Sequence, residues 1–342
     1  MTAVPGKRGP AGPVLVIAGP TASGKSALAL ALAEVMDGVI INADSMQVYR
    51  ELRVLTARPD DAALARAPHR LYGVLPAAEA CSAGRWRRLA LDEIAAARKA
   101  GHLPILAGGT GLYLKALISG LAELPDIPAA VRAAAGARHD ALGGSAFHAE
   151  LAKRDPAMAA RLKPSDRQRL IRAWEVIEAT GRSLADWQMG AEWQAADGPA
   201  GAAADGDLAL LPILVLPPRA ALYAACDARV EAMIAAGALD EVRALLALGL
   251  DPALPAMKAV GVRELGAVLA GKTSLAAAAA AMQQATRNYA KRQLTWLRHQ
   301  MPSPGLVAAG TLLPAEVVER ATDAQLMESL KGRIFNFIRH FC

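Results

Sequence analysis

The most specific chemistry in this chain is concentrated in Gly19-Pro20-Thr21-Ala22-Ser23-Gly24-Lys25-Ser26. The spacing G-x-x-x-x-G-K-S makes a phosphate cradle when it follows a strand and opens a helix, and both flanks here have that character. Glycines let the backbone curl so that successive N–H groups converge on an anion. The helix that follows aims its positive end at the same point. Lys25 adds a point charge, and Ser26 offers a hydroxyl to a phosphate-bound Mg²⁺. A pyrophosphate is the expected ligand, and the motif alone leaves open whose it is. Asp44 is the second candidate. It ends an apolar run beside the loop, where a carboxylate can take a proton from a nucleophile or hold a metal-bound water. It can equally cap a turn.

Two basic stretches form a third set. Arg161, Lys163, Arg167, Arg169 and Arg172 cluster near the start of a helical pattern, with Arg169 and Arg172 near one face. A late helix over 286–299 carries Arg287, Lys291, Arg292 and Arg298, with Leu294, Trp296 and Leu297 as its apolar anchors. Each stretch alone reads as a solvated face. Together they favour phosphate contacts on RNA. Arg229, read alone, is a helix-surface arginine. The histidines form no ligand or triad spacing. Trp174, Trp187 and Trp193 read as core and interface anchors rather than base-stacking platforms.

The elements that must position these residues follow from periodicity. A tail over 1–12 precedes a strand at 14–18 and a helix at 25–36. Buried strands are expected at 38–42 and 103–107, with a third possible at 69–74, a helix at 84–100 and another after Gly111. Strands alternating with helices predict a doubly wound parallel α/β sheet, with ligands at the carboxyl ends of its strands. Residues 128–190 read as several short helices, with Ser165-Asp166 capping one over 167–179. A Gly/Ala/Asp-rich linker spans 195–207. The strand pattern then returns at 210–216, so the helical block is an insertion into one α/β domain. The expected division is a phosphate-loop core over 13–120 and 208–300, a helical insertion over 121–207, and a tail over 301–342 without an assigned role.

The 342 residues are long enough for two domains and a substantial core. With 54% hydrophobic and 20% charged residues the chain is globular in composition, and its net charge of +6 permits a polyanionic partner. Cys81, Cys226 and Cys342 form neither a disulfide framework nor a metal spacing, so a reducing cytoplasm is expected. No apolar stretch approaches the roughly 20 residues that span a bilayer. No second strand ends in a metal-binding aspartate, and no arginine-rich lid follows the phosphate loop. Both features count against an ordinary ATPase or kinase.

Taken in order, GPTASGKS (19–26), INADSMQVYR (41–50), LAGGTGLYLKAL (106–117), SDRQRLIRAWEVIEATG (165–181), MKAVGVREL (257–265) and TRNYAKRQLTWLR (286–298) resemble the tRNA dimethylallyltransferases, also called tRNA isopentenyltransferases. The resemblance covers roughly residues 13–300. It implies a P-loop NTPase-like fold that moves a dimethylallyl group from its diphosphate to N6 of the adenine immediately 3′ of the anticodon. The tRNAs are those reading codons that begin with U. In these terms the loop Gly19 to Ser26 (Gly19, Pro20, Thr21, Ala22, Ser23, Gly24, Lys25, Ser26) holds a prenyl diphosphate with Mg²⁺, and Ser26 reaches that ion. Asp44 is the general base, while Thr21 and Arg229 engage the leaving group. Asp44, Ser45, Met46, Gln47 and Thr110 line the pocket of a flipped adenine. Further tRNA contacts are implied at Arg132, at Gln168, Arg169, Leu170, Ile171 and Arg172, and at Lys258, Ala259, Val260, Gly261, Val262 and Arg263. The last group is Thr286, Arg287, Asn288, Tyr289, Ala290, Lys291, Arg292 and Gln293.

Three positions depart from the family pattern. Leu55 stands where glycine is usual, Arg58 where lysine is usual, and Val262 where an aromatic is usual. The implied protein is a cytoplasmic monomer acting on tRNA and dimethylallyl diphosphate. Rival readings are a small-molecule kinase using ATP, a prenyltransferase of free adenine nucleotides, and a non-catalytic RNA-binding protein that keeps a phosphate loop.

Overall fold

The computed structural model of the chain describes residues 12–121, 124–189, 208–301, 316–318 and 324–339. Its strands are β1 (Gly12–Ala18), β2 (Gly38–Asn42), β3 (His69–Arg70), β4 (Leu103–Gly108), β5 (Leu208–Val215) and β6 (Glu316–Val318). Among the described residues they form one sheet in the order β3-β2-β4-β1-β5-β6, with every pairing parallel. β1 is central, with Leu15 opposite both Ile105 and Leu211.

Period-two alternation builds a core on each face of this sheet. Val14, Val16 and Ala18 join Val39, Ile41 and Leu106 on one face, while Leu15, Ile17, Ile40, Ile105 and Ile213 lie on the other. The helices are α1 (Lys25–Met36), α2 (Asp61–Arg66), α3 (Ala83–Lys99), α4 (Gly111–Ser119), α5 (Ala129–Arg154), α6 (Pro156–Ala159), α7 (Arg167–Thr180), α8 (Arg219–Ala235), α9 (Ala238–Ala247), α10 (Val262–Leu269), α11 (Leu275–Gln300) and α12 (Ala324–Arg339). Trp86, Ala90 and Ile94 of α3 cover the first face, and Leu28, Leu32 and Ala33 of α1 cover the second.

The chain divides into two compact units. One comprises the described residues up to Ile118 together with those from Leu208 onward; the other comprises the described residues from Ser119 to Met189. The second unit has its own core, in which Phe147 and Leu151 of α5 meet Leu170, Ala173 and Trp174 of α7. Phe147 and Trp174 have ring centroids 5.1 Å apart.

The structure departs from the sequence expectations at four places. The third strand covers two residues rather than 69–74, because Leu71 and Gly73 take positive φ and turn the chain out of the ladder. A lone bridge from Tyr49 to Leu75 continues the same edge. The insertion begins with a 26-residue helical stretch that Gly143, non-helical at φ 73°, breaks into two arms, so the expected succession of helices holds with a longer first member. Beside the break, a Cβ on Gly144 would lie 2.2 Å from the Pro164 carbonyl oxygen, so the glycine admits that turn. Asp166 occupies the N-cap of α7 but its side chain accepts from the Lys163 N–H at 3.3 Å rather than from the helix. Finally, the tail takes part in the fold: β6 pairs with β5, and Leu330 and Ile334 of α12 join the α1 face of the core. The linker 195–207 and Trp193 lie outside the described residues.

Candidate active site

The phosphate loop sits between the end of β1 and α1, at the carboxyl edge of the sheet. Two left-handed residues shape it: Ala22 at φ 61° and Gly24 at φ 87°. Gly24 occupies the N-cap of α1 with no side-chain acceptor, which leaves the first-turn N–H groups to an incoming anion. Gly19 is required because a Cβ there would meet Ser23 Oγ at 2.5 Å and the Val215 carbonyl oxygen at 2.8 Å. Ser23 Oγ is itself buried and without a protein partner, a hydroxyl suited to a phosphate oxygen. Lys25 Nζ donates to the Pro20 carbonyl at 3.2 Å.

Asp44 lies at the carboxyl end of β2, and a buried neighbour fixes it. Asn42 is 0% exposed. Its Oδ1 accepts from the Asp44 N–H at 2.8 Å, while its Nδ2 donates to the carbonyls of Asp44 at 2.9 Å and Leu71 at 3.1 Å. Asp44 Oδ1 in turn accepts from the Met46 N–H at 2.9 Å, the Asx turn that the cap reading anticipates. The other carboxylate oxygen is left for chemistry. Thr110 Oγ1 accepts from the Ser45 N–H at 2.9 Å and so ties this loop to the end of β4. Gln47 Nε2 donates to the Thr56 carbonyl at 2.8 Å.

Arg229 is not the surface residue that its local sequence suggests. It reaches from α8 to donate Nη2 to the Thr56 carbonyl at 2.9 Å. Thr21, Asp44, Thr56, Arg229, Thr286 and Tyr289 line one cleft. Its remaining wall is apolar: Met46, Leu55, Val230, Met233, Ala259, Val260 and Met282. Burial pushes the Lys25 ammonium down to about 8; the Asp44 carboxylate opposes the shift and the Arg229 charge adds to it. Burial also lowers the Arg229 guanidinium, again opposed by Asp44. Burial and the Asp44 charge together raise the Tyr289 hydroxyl. Two desolvated cations face one carboxylate, so the cleft favours an added anion.

α11 contributes more than a basic face. Its inner stripe is Ala278, Met282, Thr286, Ala290, Gln293 and Leu297. Gln293 is 5% exposed; its Oε1 accepts from the Thr21 N–H at 2.8 Å and its Nε2 donates to the Gly109 carbonyl at 2.9 Å. The Gln293 side chain is therefore a strut of the phosphate loop. Ala290 packs with Leu222 and Cys226. Arg287 pairs with Asp227, and Arg292 lies 5.7 Å from the Tyr289 ring centroid. Asn288 and Lys291 are exposed.

The departures from the family pattern have structural homes. Leu55 is buried and does not take positive φ; the left-handed residue of its turn is Ala57, at φ 47°. Leu55 packs against Gly261, where a Cβ would lie 2.5 Å from Leu55 Cδ2. Arg58 Nη1 donates to the carbonyls of Tyr49 and Arg50. Val262 is 3% exposed and is a core residue. Lys258 is exposed, and so is Arg263, which pairs with Glu264.

The remaining candidates belong to the second unit. Gln168 and Arg169 are exposed, Leu170 is core, Ile171 packs against that core, and Arg172 pairs with Glu175. Arg132 is exposed in the first turn of α5, where its N–H donates to the Pro128 carbonyl.

Comparison with known proteins accords with this geometry. The IPP transferase family matches residues 47–300. The chain belongs to that family. A relative from Rhodospirillum centenum, named tRNA dimethylallyltransferase, is 58% identical over 308 residues, covering 90% of this chain and 94% of the relative. One from Rhodospirillum rubrum with the same name is 55% identical over 329 residues, covering 96% and 95%. Among solved structures, a tRNA isopentenylpyrophosphate transferase from Bacillus halodurans superposes with a TM-score of 0.65 at 29% identity, covering 96% of this chain and 97% of that one. A tRNA delta(2)-isopentenylpyrophosphate transferase from Staphylococcus epidermidis gives 0.63 at 29% identity, covering 95% and 99%. The IPP transferase fold thus extends beyond the matched segment to include the phosphate loop at 19–26.

Proposed function

We propose that this IPP transferase moves a dimethylallyl group from dimethylallyl diphosphate to N6 of the adenine 3′ of the anticodon, in tRNAs that read codons beginning with U. It would do so as a cytoplasmic monomer. One observation carries the choice of donor: a single cleft sets Thr21 of the phosphate loop and the Arg229 guanidinium against a wall of methionine, valine and leucine side chains. That wall suits a five-carbon hydrocarbon.

The chemistry follows from the residues. The adenine amine attacks the carbon bearing the diphosphate; a C–N bond forms as the C–O bond breaks, and its electron pair leaves on the diphosphate oxygen. The amine proton passes to Asp44, which lines the cleft. General bases of this kind give about 10²- to 10⁴-fold. The loop N–H groups, Lys25 and Arg229 stabilise the charge that grows on the leaving group. The donor set also fits Mg²⁺ brought by the diphosphate. Ser26 is exposed on the first turn of α1, Asp44 is nearby, and no cluster of three acidic, histidine or cysteine groups exists among the described residues. An ion that keeps most of its waters and takes few protein ligands suits such a site. When bound it would supply further neutralisation of the leaving group.

Isotope transfer tests the reading. Labelled dimethylallyl diphosphate and unmodified tRNA should give labelled RNA, with ATP unable to compete and AMP a poor acceptor. ATP hydrolysis with label excluded from RNA would replace the proposal with the kinase reading.

A further inference from the structure

We propose that Glu241 is a positioning residue for the diphosphate end of the site, acting through the turn 53–57 on Arg229. It lies in the first turn of α9, outside the cleft lining. Its Oε2 accepts from the N–H groups of Arg53 and Val54, both at 2.7 Å, and its Oε1 from that of Leu55 at 2.9 Å. Three consecutive N–H groups thus converge on one carboxylate, which fixes the start of the turn. The end of the turn closes through Ala57 N–H to Val54 and Arg58 N–H to Arg53, both at 3.0 Å. Between these two ends the Thr56 carbonyl is presented to Arg229 Nη2 at 2.9 Å and to Gln47 Nε2 at 2.8 Å. An anion therefore holds one end of the turn, and the arginine that faces the diphosphate is held at the other. Leu55, between them, forms part of the apolar wall.

The chemistry predicts what glutamine would do in this place. An amide keeps one acceptor oxygen and turns an NH₂ toward N–H groups that the carboxylate now receives. The turn loosens, and Arg229 loses the carbonyl that aims it. The inference rests on the reading of Arg229 as a leaving-group contact. A double-mutant cycle on the full chain tests it, with inorganic pyrophosphate as the probe and calorimetry as the readout. E241Q should weaken pyrophosphate about tenfold in the wild-type background and less than about twofold in R229A, because contacting residues are non-additive. The KM for tRNA should stay unchanged, and amide exchange at 53–55 should accelerate in E241Q. E241D serves the same cycle if E241Q does not fold. Equal losses in both backgrounds would reduce Glu241 to a stability cap, and R229A binding pyrophosphate like the wild type would overturn the inference at its root. Because pyrophosphate binding needs no acceptor, a failure of prenyl transfer with the cycle intact would count against the transfer reading alone.

Discussion

Asp44 has one oxygen committed to its own turn and one free, and that division sets what its replacement should do. D44N keeps the shape and the Met46 contact but removes the base. Turnover should fall about 10²- to 10⁴-fold. Binding of tRNA should stay near the wild-type value, measured by filter retention. A variant that turns over at the wild-type rate would remove Asp44 from the chemistry. The candidates here were legible because phosphate cradles are local: Gly19 to Ser26 depend on spacing alone. Asn42 was not legible. Its task is to hold both the N–H and the C=O of Asp44 while reaching the Leu71 carbonyl, and that last partner lies 29 residues away. An asparagine at the end of a buried strand shows nothing in sequence of which carbonyls it will meet. Arg229 was legible only through the family resemblance, since its partner Thr56 is 173 residues distant and its local sequence reads as helix surface.

At the scale of elements, the long basic helix α11 has two faces with different tasks. The sequence displays the charged face plainly, because Arg287, Lys291, Arg292 and Arg298 stand out at helical spacing. The inner stripe is less visible, since a threonine, an alanine and a glutamine at 286, 290 and 293 look polar or neutral. Burial converts Gln293 into a bridge between two loops 184 residues or more away in sequence. Q293L should leave the buried Thr21 N–H unpaired, costing about 1–3 kcal/mol. It should also raise the KM for dimethylallyl diphosphate while sparing that for tRNA. Thermal denaturation and steady-state kinetics check the two halves separately, and an unchanged KM would make Gln293 a packing residue only. The edge strand shows a related limit of sequence reading. Residues 69–74 carry strand-like composition, yet the left-handed Leu71 and Gly73 end the ladder after two residues.

At the scale of the whole molecule, one unit supplies the phosphate loop, Asp44 and the apolar wall, and the other supplies a helical body with exposed Gln168 and Arg169. The parallel sheet was legible from alternating apolar runs and helices. The role of the tail was not, because β6 contributes a single short edge strand and α12 shows its purpose through Leu330, Ile334 and Ile338 on the α1 face. If the second unit grips tRNA, R169A should weaken binding across tRNA sequences and lower the slope of log affinity against log salt by about one. An unchanged slope would take Arg169 out of the RNA interface. In the proposed reaction the cradle holds a prenyl diphosphate, and an adenine of tRNA is delivered to it. Mass spectrometry of nucleosides from an unmodified tRNA transcript, incubated with the purified protein and dimethylallyl diphosphate, tests that reaction most directly. The expected product is N6-dimethylallyladenosine at the adenine 3′ of the anticodon and nowhere else in the transcript. Unmodified adenosine at that position, with ATP consumed in its place, would contradict it.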